Sequence, residues 1–355
     1  MANAQTIQSV PAGGQYDTDV IVIGAGPVGL FAVFELGMLG IKSHLIDILD
    51  RPGGQCAELY PEKPILDIPA IKSINGNDLT DALLDQISPF DATFSLNEMA
   101  VSLEQEADKR WRVKTDLDTE ITGAAVCIAA GGGSFQPKKP PIPGVDDFEG
   151  QSVFYAVRKR EIFNGKSLVI AGGGDSALDW TLNLEPIAKH VTLVHRRPDF
   201  RAAPDSVEKM HALVDAGKID LKVMQIKELD GKDGNITGVR GESKEDGDVV
   251  IPCNMMLAFY GLTMKLGPIA EFGLNLYENR IAVDTAKFET STPGVFCIGD
   301  MANYDGKLKL ILSGFHEAAL MAHAVFHYVF PDKKLRFQHS TSSKDLQKQV
   351  AGETK

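Results

Sequence analysis

Two glycine-rich segments of the sequence carry the residue types that bind nucleotide phosphates. Residues 19–30 read DVIVIGAGPVGL and residues 167–177 read SLVIAGGGDSA. In both, an apolar run that predicts a strand leads into a glycine turn and the start of a helix. The small residues permit a sharp turn, close approach of backbone to a pyrophosphate and close packing of helix on strand, while the helix N-terminus offers N–H groups. Both segments therefore predict dinucleotide-binding sites.

The residues that these motifs assign to nucleotide binding form two sets. In the first segment they are Gly24, Gly26, Pro27, Val28 and Gly29. In the second segment they are Gly172, Gly174, Asp175, Ser176 and Ala177. The first glycines of the two sets lie 148 positions apart, at residues 24 and 172. We therefore expect two copies of one structural unit within the chain.

The end of the next predicted strand differs in charge between the two copies. Asp47 lies 23 positions after Gly24, and His195 lies 23 positions after Gly172. An acid at this place accepts hydrogen bonds from a free ribose diol and repels a 2′-phosphate, whereas arginines bind that phosphate. The basic group of the second copy is His195, Arg196, Arg197 and Arg201. The first site is predicted to bind FAD or NAD and the second NADPH; the alternative for the basic group is a solvated patch.

A third motif bears on which nucleotide the first site binds. Residues 292–302, TPGVFCIGDMA, predict a strand that stops at Gly299 and Asp300. An extended flavin needs a second anchor for its ribityl pyrophosphate, and the Asp300 carboxylate would accept a hydrogen bond from a ribityl hydroxyl. This favours FAD in the first site. The other role open to Asp300, a helix N-cap, is compatible with this one.

The segments between the motifs predict the domain organisation. A chain of 355 residues exceeds the usual size of a single core. Residues 135–144, FQPKKPPIPG, contain four prolines and predict a linker. We expect an α/β fold of two Rossmann-like, three-layer dinucleotide-binding domains with a short C-terminal extension. The FAD-binding domain comprises residues 1–134 and 262–355, and the NADPH-binding domain, residues 135–261, is inserted into it.

Shorter segments predict the remaining elements. Residues 51–70 are rich in Gly and Pro and predict a loop, and residues 77–87 predict a helix. Alternating runs at 93–105 and 110–116 predict a hairpin or a small sheet. Residues 313–330 predict a long helix. The polar tail that follows is, by composition alone, typical of a disordered segment.

Composition and charge argue against several classes of protein. The formal net charge of −12 argues against a general surface for nucleic acid or an anionic membrane. No apolar run is long enough to span a bilayer, and the first residues predict no signal peptide. The four cysteines form no CxxC pair, which fits a reducing cytoplasm, and no metal site is predicted. They are Cys56, Cys127, Cys253 and Cys297, of which the last three lie in strand-like apolar runs typical of buried residues.

Residues 19–330 resemble the two-domain pyridine-nucleotide flavoproteins of the thioredoxin reductase type. The matching motifs, in chain order, are GAGPVG, GGQ at 53–55, the AAG strand end near Gly131, GGGDSA, HRRPDFRA and TPGVFCIGD. Thioredoxin reductases have a CxxC pair just upstream of the second glycine motif. The matching stretch here, FYAVRKREIFNGK at 154–166, contains no cysteine. Without a dithiol there is no thiol relay, so electrons must leave the flavin directly.

The chain is similar, over nearly its whole length, to the thioredoxin-reductase-like ferredoxin–NADP⁺ reductases. Shared features are the segment ELYPEK around Tyr60, the loss of both cysteines and a C-terminal HSTS at 339–342. The resemblance implies that Tyr60 stacks on one face of the flavin ring. It also implies a homodimer in which His339, Ser340 and Thr341 cover the other face, of the chain's own or the partner's flavin. Further FAD contacts implied by the resemblance are Gln55, Ala100 and Phe135.

The implied activity is that of an oxidoreductase in electron transfer. Hydride would pass between NADPH and FAD, followed by single-electron transfer to or from ferredoxin, because flavin can exchange electrons singly or in pairs. We place a hinge between the domains at 135–144 and near Gly261. Two alternatives stay open: an NADPH-dependent flavodoxin or quinone reductase, and a redox-sensing flavoprotein with slow turnover.

Docking of an acidic ferredoxin or flavodoxin on this acidic chain needs a local basic surface. The candidate cluster is Lys138, Lys139, Arg158, Lys159 and Arg160. It lies close to where the relatives have their cysteines. The alternative is a solvated face with no partner.

Overall fold

The computed structural model describes residues 7–157 and 159–335, with the backbone alone described at 135–137 and 262–264. The chain divides into two compact units, Met1–Ser134 with Met264–Lys355, and Phe135–Thr263. The described residues contain six α-helices, which we label in chain order. They are α1 (Pro27–Met38), α2 (Gly54–Leu59), α3 (Gly76–Ile87), α4 (Asp175–Leu184), α5 (Pro204–Asp215) and α6 (Ile311–Val329).

The first unit is built on a six-stranded sheet in which every neighbouring pair is parallel. Its strands, in spatial order, are Gln8–Ser9, Thr93–Leu96, Ser43–Asp47, Val20–Ile23, Ala125–Ile128 and Val295–Cys297. One face packs against α1, α3 and α6, and alternate residues such as Val20 and Val22 belong to that core. The other face, with Ile21 and Ile23, packs with a four-stranded sheet. The strands of that sheet are Gln15–Asp17, Glu120–Gly123, Trp111–Thr115 and Ala100–Gln105.

The second unit repeats the plan with a seven-stranded sheet. Its strands, in spatial order, are Val153–Phe154, Met255–Ala258, Ser167–Ala171, His190–His195, Asp220–Lys232, Asn235–Ser243 and Gly247–Pro252. The first five are parallel to their neighbours, and the last two extend the sheet as antiparallel strands. Leu168 and Ile170 pack with α4 and α5, whereas Val169 and Ala171 pack with residues such as Ile142 on the opposite face. Each unit therefore has three layers, as predicted.

The two glycine motifs follow strands with the same backbone register. Gly24 N–H donates to Ile46 O at 2.8 Å, and Gly172 N–H donates to Val194 O at 3.0 Å. The two donors are 148 positions apart in the chain, and so are the two acceptors. The repeat read from the sequence is therefore a repeat of three-dimensional structure.

Three small sheets complete the described fold. Pro64–Ile65 pairs with Ile74–Asn75, and Leu276–Tyr277 pairs with Arg280–Ala282, which also pairs with Ala302–Asn303. The two connections between the units, Ser134–Pro137 and Leu262–Lys265, form a two-stranded sheet. Across residues 7–157 and 159–335, no helix has the length and apolarity needed to cross a bilayer.

Three local predictions differ from the structure. Residues 51–70 are not a continuous loop, because helix α2 begins at Gly54 once Gly53 has turned the chain with a φ of +117°. The predicted hairpin is confirmed for Ala100–Gln105, which pairs antiparallel with Trp111–Thr115, but Thr93–Leu96 joins the parallel sheet instead. The long C-terminal helix begins two residues earlier than predicted, at Ile311, and ends one residue earlier, at Val329. In each case a neighbour distant in sequence or a backbone turn decides the boundary.

Candidate functional site

The three glycines of the first motif differ in what a side chain would meet at their positions. Gly24 has a φ of +109°, and a Cβ there would lie 2.4 Å from the Ala129 carbonyl oxygen. A Cβ at Gly29 would lie 2.0 Å from the carbonyl oxygen of Gly24. These two positions are therefore fixed by the chain's own packing. Gly26 is different, because its φ of −72° is ordinary and a Cβ would meet nothing closer than Gly54 Cα at 3.8 Å.

The open space at Gly26 lies at the N-terminus of α1. Gly26 is the N-cap residue, no side chain caps the helix, and Pro27 occupies the first turn, which contains no acidic residue. The free N–H groups and the positive end of the helix dipole are therefore not neutralised by an acidic residue of the helix itself. A pyrophosphate fits both the space and the charge of this site.

Asp47 lies beside this turn, at the end of the strand Ser43–Asp47. Its Oδ2 accepts a hydrogen bond from Ala25 N–H at 2.6 Å and its Oδ1 from Leu49 N–H at 2.9 Å. Burial raises the pKa of Asp47, and backbone N–H groups of Leu49, Ala25 and Ile48 oppose that rise. An ionised carboxylate retains acceptor capacity beyond these bonds, so Asp47 is placed to accept from a ribose diol.

The GGQ segment packs directly on the glycine motif. Gly53 N–H donates to Ala25 O at 2.8 Å, and a Cβ at Gly54 would lie 2.9 Å from Gly26 Cα. Gln55 is half-buried in the first turn of α2, and a Cβ at Gly131 would lie 3.4 Å from its Nε2. The structure thus brings Gln55 and the strand end at Gly131 to the same place. Ala100, another predicted contact, is buried at the start of its strand in the core between the two sheets.

Tyr60 follows α2 and is tied to a cysteine. The Cys56 thiol donates to the Tyr60 hydroxyl at 3.5 Å. Burial, more than the charge of Asp300, raises the pKa of Cys56 to about 11 against the lowering effect of this bond. Burial likewise raises the pKa of Tyr60, with smaller effects from Cys56, Asp300 and Asp67. Asp300 therefore lies close enough to act electrostatically on both groups.

The Asp300 turn meets the starts of two helices. Gly299–Met301 is one 3₁₀ turn directly after the strand Val295–Cys297 and Ile298. A Cβ at Gly299 would lie 3.5 Å from a Val28 methyl carbon, and a Cβ at Gly314 would lie 2.3 Å from another. Val28 belongs to α1 and Gly314 to α6, so the three elements converge at one side chain.

Sequence reasoning missed the residue that holds this turn. Gly299 N–H donates to Glu317 Oε2 at 2.6 Å. Glu317 is buried and is the single Asp, Glu, Lys or Arg in the otherwise apolar α6. A lone carboxylate on an apolar helix was the signal that could have identified it.

The second glycine motif also contains glycines that are fixed by packing and one glycine that faces open space. A Cβ at Gly172 would lie 2.8 Å from both Ala177 Cβ and Phe259 O, and one at Gly173 would enter the His195 ring. Gly174 is open, since a Cβ there would meet nothing closer than Arg201 O at 3.8 Å. Gly174 is the N-cap of α4, and no side chain caps this helix. A second phosphate site therefore fits here.

The segment that contains Arg196, Arg197 and Arg201, which we call the arginine segment, is hydrogen-bonded to this motif through its backbone N–H groups. Arg201 N–H donates to Gly173 O at 2.7 Å, and Ala203 N–H donates to Asp175 Oδ1 at 2.8 Å. The His195 ring packs on Phe200, with the ring centres 5.4 Å apart, and its pKa is lowered by burial and then by its arginine neighbours. Three side chains in the segment are exposed, namely Arg196, Arg197 and Arg201. Asp175 thus has a task within the chain, which is to hold the arginine segment.

Two members of the predicted basic cluster have partners within their own unit. Lys139 forms ion pairs with Asp146 at 2.6 Å and Glu149 at 2.9 Å. Arg160 Nη2 donates to Asn183 O near the end of α4 at 2.6 Å. Lys138 and Lys159 are exposed, whereas Arg158 lies outside the described residues.

Four residues predicted to contact the flavin lie wholly or partly outside the described residues. His339, Ser340 and Thr341 lie outside the described residues. Phe135 lies on the strand Ser134–Pro137, but its side chain is outside the description.

All four cysteines are within the described residues, where they are buried and form no disulfide. Residues 7–157 and 159–335 contain no group of three His, Cys, Asp or Glu side chains that could hold a metal ion.

Comparison with known proteins bears directly on this pair of sites. A family model described as pyridine nucleotide-disulphide oxidoreductase matches residues 18–323. The chain belongs to this family. Among the relatives of this oxidoreductase are two proteins named ferredoxin–NADP reductase, each 60% identical to it. The one from Parvibaculum lavamentivorans covers 94% of this chain and 97% of its own length, and the one from Mesorhizobium japonicum covers 95% and 98%.

The fold of this oxidoreductase is found in solved structures. The thioredoxin reductase of Lactococcus lactis superposes with a TM-score of 0.72 at 23% identity, over 88% of this chain and 99% of its own. The thioredoxin reductase of T. acidophilum also gives a TM-score of 0.72 at 23% identity, over 87% and 98%. The predicted fold class and the predicted family are therefore both confirmed.

Proposed function

We propose that this chain is a ferredoxin–NADP reductase that binds FAD in its first unit and NADP(H) in its second. The observation that carries the proposal is the pair of structurally repeated nucleotide sites, of which one ends in Asp47 and the other in three exposed arginines. The names of relatives that are 60% identical over nearly the whole chain support it. The proposed FAD domain is 1–134 with 262–355 and the proposed NADPH domain is 135–261, close to the division between the two units.

The residues of the first unit fit FAD. The α1 N-terminus and Gly26 would bind the pyrophosphate, Asp47 the adenosine ribose and Asp300 a ribityl hydroxyl. Tyr60 would stack on the ring, and Gln55, Ala100, His339, Ser340 and Thr341 are proposed as further contacts, together with Phe135, the first residue of the second unit. When bound, FAD supplies the ability to exchange two electrons as hydride and one electron at a time. The chain's own residues supply binding and orientation.

The residues of the second unit fit NADP(H). Gly172, Gly174 and the α4 N-terminus would bind the pyrophosphate. Arg196, Arg197 and Arg201 would bind the 2′-phosphate through charge-assisted hydrogen bonds. Ser176 and Ala177 belong to the first turn of α4, where Ala177 allows close packing. His195 closes the turn by packing on Gly173.

The cysteines exclude the thiol chemistry that the family name suggests. Cys56 is 2% exposed, and burial raises the pKa of its thiol to about 11, so it is not a thiolate near neutral pH. It has no cysteine partner, since all four cysteines are free. Electrons are therefore proposed to leave without a disulfide intermediate, toward a one-electron acceptor. Free cysteines also fit the proposed reducing, cytoplasmic setting.

A panel of acceptors tests this function. We expect purified holoenzyme to oxidise NADPH at about 1 s⁻¹ or faster with ferredoxin, cytochrome c serving as final acceptor. NADH run in parallel should be a much poorer donor because it lacks the 2′-phosphate. Rapid turnover with flavodoxin or a quinone but not with ferredoxin would identify the alternative reductase. Turnover with none of them would favour a redox sensor.

Ferredoxin docking through the remaining basic residues is a second prediction. Because Lys139 and Arg160 have partners within the chain, the proposed docking charges are Lys138 and Lys159. Lys159→Glu should raise the KM for ferredoxin about 3- to 10-fold at low salt and less at high salt, since exposed charges act mainly on encounter. NADPH oxidation by a small dye should stay unchanged.

A matched variant controls for net charge in that experiment. Lys218 is an exposed lysine of the same unit, just after α5. Lys218→Glu changes the net charge equally and should leave the KM for ferredoxin unaffected. Equal effects of both variants, or a loss of dye reduction in Lys159→Glu, would argue against docking at this surface.

A further inference from the structure

A buried ion pair lies beneath the Asp300 turn of the first unit. The side chain of Lys307 is 2% exposed and that of Glu317 is 1% exposed, and the two are in direct contact. A buried pair is retained at a desolvation cost that only good geometry and further hydrogen bonds offset. The proposed function gives no task to either residue, so the pair calls for an explanation.

The carboxylate of Glu317 accepts three donors from one short segment. Its Oε2 accepts from Gly299 N–H at 2.6 Å, and its Oε1 accepts from the Tyr304 hydroxyl at 2.7 Å and from the Lys307 ammonium. Lys307 Nζ also lies 5.5 Å from the centre of the Tyr304 ring. Burial, together with the bond to Glu317, raises the pKa of Tyr304, so its hydroxyl stays a donor. Every donor belongs to residues 299–307, and the acceptor belongs to α6.

The bond to Gly299 anchors the residue before Asp300. Gly299 has a φ of +73°, a left-handed conformation that only glycine adopts readily. The N–H that Glu317 accepts belongs to the peptide between Ile298 and Gly299, so Glu317 holds the chain one residue before Asp300. Gly299 and Gly314 both pack against Val28 at the start of α1. Glu317 therefore ties Asp300, α6 and the phosphate-binding helix into one arrangement.

We propose that Glu317 is a positioning residue for FAD, which holds the Asp300 turn in place with the support of Lys307 and Tyr304. Glu317 acts through Asp300 and does not touch the cofactor. The inference rests on the proposed function, because it takes FAD to be the occupant of the first site. It predicts that loss of the Glu317 carboxylate weakens FAD binding more than it weakens the fold.

The chain contains a matched control for this inference. Glu289 is also a buried carboxylate of the first unit, and it too accepts from a glycine N–H, a tyrosine hydroxyl and a lysine. Its donors are Gly294, Tyr328 and Lys287. Glu289, Lys287 and Gly294 precede the strand Val295–Cys297, whereas the Asp300 turn follows it. Glu289→Gln should therefore disturb a similar network at the end of the strand away from the flavin site.

The experiment compares FAD affinity with stability. For Glu317→Gln we expect the FAD dissociation constant, measured by flavin fluorescence on reconstitution, to rise about tenfold or more. The Tm gained when FAD is added should shrink, because ligand stabilisation follows affinity. Glu289→Gln should lower the Tm of apoprotein and holoprotein together and leave FAD affinity unchanged. Should Glu317→Gln fold poorly with Lys307 left unpaired, Lys307→Met/Glu317→Gln removes both charges and gives the same readouts.

A double-mutant cycle with Asp300→Ala decides whether Glu317 acts through Asp300. If it does, adding Glu317→Gln to Asp300→Ala should change FAD affinity by less than about twofold. A full additional loss in the Asp300→Ala background would overturn the proposal, and so would equal effects of Glu317→Gln and Glu289→Gln on FAD affinity. Wild-type protein that binds no FAD would contradict the proposed function itself. Normal FAD binding without turnover on ferredoxin would contradict the acceptor and leave this inference standing.

Discussion

Reversing Arg196 and Arg197 together to glutamate should lower kcat/KM for NADPH about 100-fold or more. Both arginines are exposed and directly follow His195, whose ring lies against Gly173, and each would form a charge-assisted hydrogen bond to the 2′-phosphate. Such bonds contribute about 1.5 kcal/mol or more each, and about 1.4 kcal/mol corresponds to tenfold. NADH has no 2′-phosphate, so kcat/KM for NADH should be nearly unchanged. Steady-state kinetics with both donors and a small dye measure the ratio.

The control variant makes the same change in charge at a different place in the same unit. Lys227 and Lys232 are exposed on the strand Asp220–Lys232 of the same unit. Lys227→Glu/Lys232→Glu changes the net charge by the same amount and should leave the preference for NADPH intact. If both double variants lower kcat/KM equally, or if Arg196→Glu/Arg197→Glu affects NADH as much as NADPH, the arginines do not read the phosphate.

Replacing Gly26 with alanine should weaken FAD binding about 10- to 100-fold without destabilising the apoprotein. The new Cβ would enter open space, 3.8 Å from Gly54 Cα, on a backbone with the ordinary φ of −72°. It would also occupy the space proposed for the pyrophosphate, and an extra methyl group in a tight contact costs about 1–3 kcal/mol. FAD titration of apoprotein measures the affinity, and thermal unfolding of apoprotein measures the stability.

Gly29→Ala gives the opposite pattern and serves as the contrast. Its Cβ would lie 2.0 Å from the Gly24 carbonyl oxygen, so the start of α1 must move. We expect the Tm of the apoprotein to fall with this variant and not with Gly26→Ala. If Gly26→Ala protein binds FAD as tightly as wild type, the pyrophosphate does not bind at this turn.

The nucleotide-binding framework could be predicted because its determinants are local. A strand, a glycine turn and a helix start follow one another within a dozen residues, and the end of the next strand lies a fixed distance on. The spacing from Gly24 placed Asp47 at the end of the next strand, which is where the structure has it. The missing cysteine pair was equally plain, because a dithiol is a matter of covalent composition.

Residue pairings that depend on tertiary structure could not be predicted. Whether Lys139 is a free charge depends on Asp146 and Glu149, which a short 3₁₀ turn brings back to it. The role of Glu317 depends on a loop folding back over α6, and nothing in the local pattern around Gly299 indicates its partner. Helix α2 is not predicted, because the pair Gly53 and Gly54 is typical of a loop in sequence, whereas in the structure it turns the chain into a helix. Sequence thus located the glycine motifs better than the groups that support them.

The paired connections between the two units have a consequence for how this architecture can be rebuilt. Ser134–Pro137 and Leu262–Lys265 pair as one two-stranded sheet, so the inserted segment begins and ends at neighbouring strands. The segment has its own sheet and its own cores. An exchange of this segment between relatives would therefore need only two splice points, both in these paired strands, and would carry the proposed NADP(H) site with it.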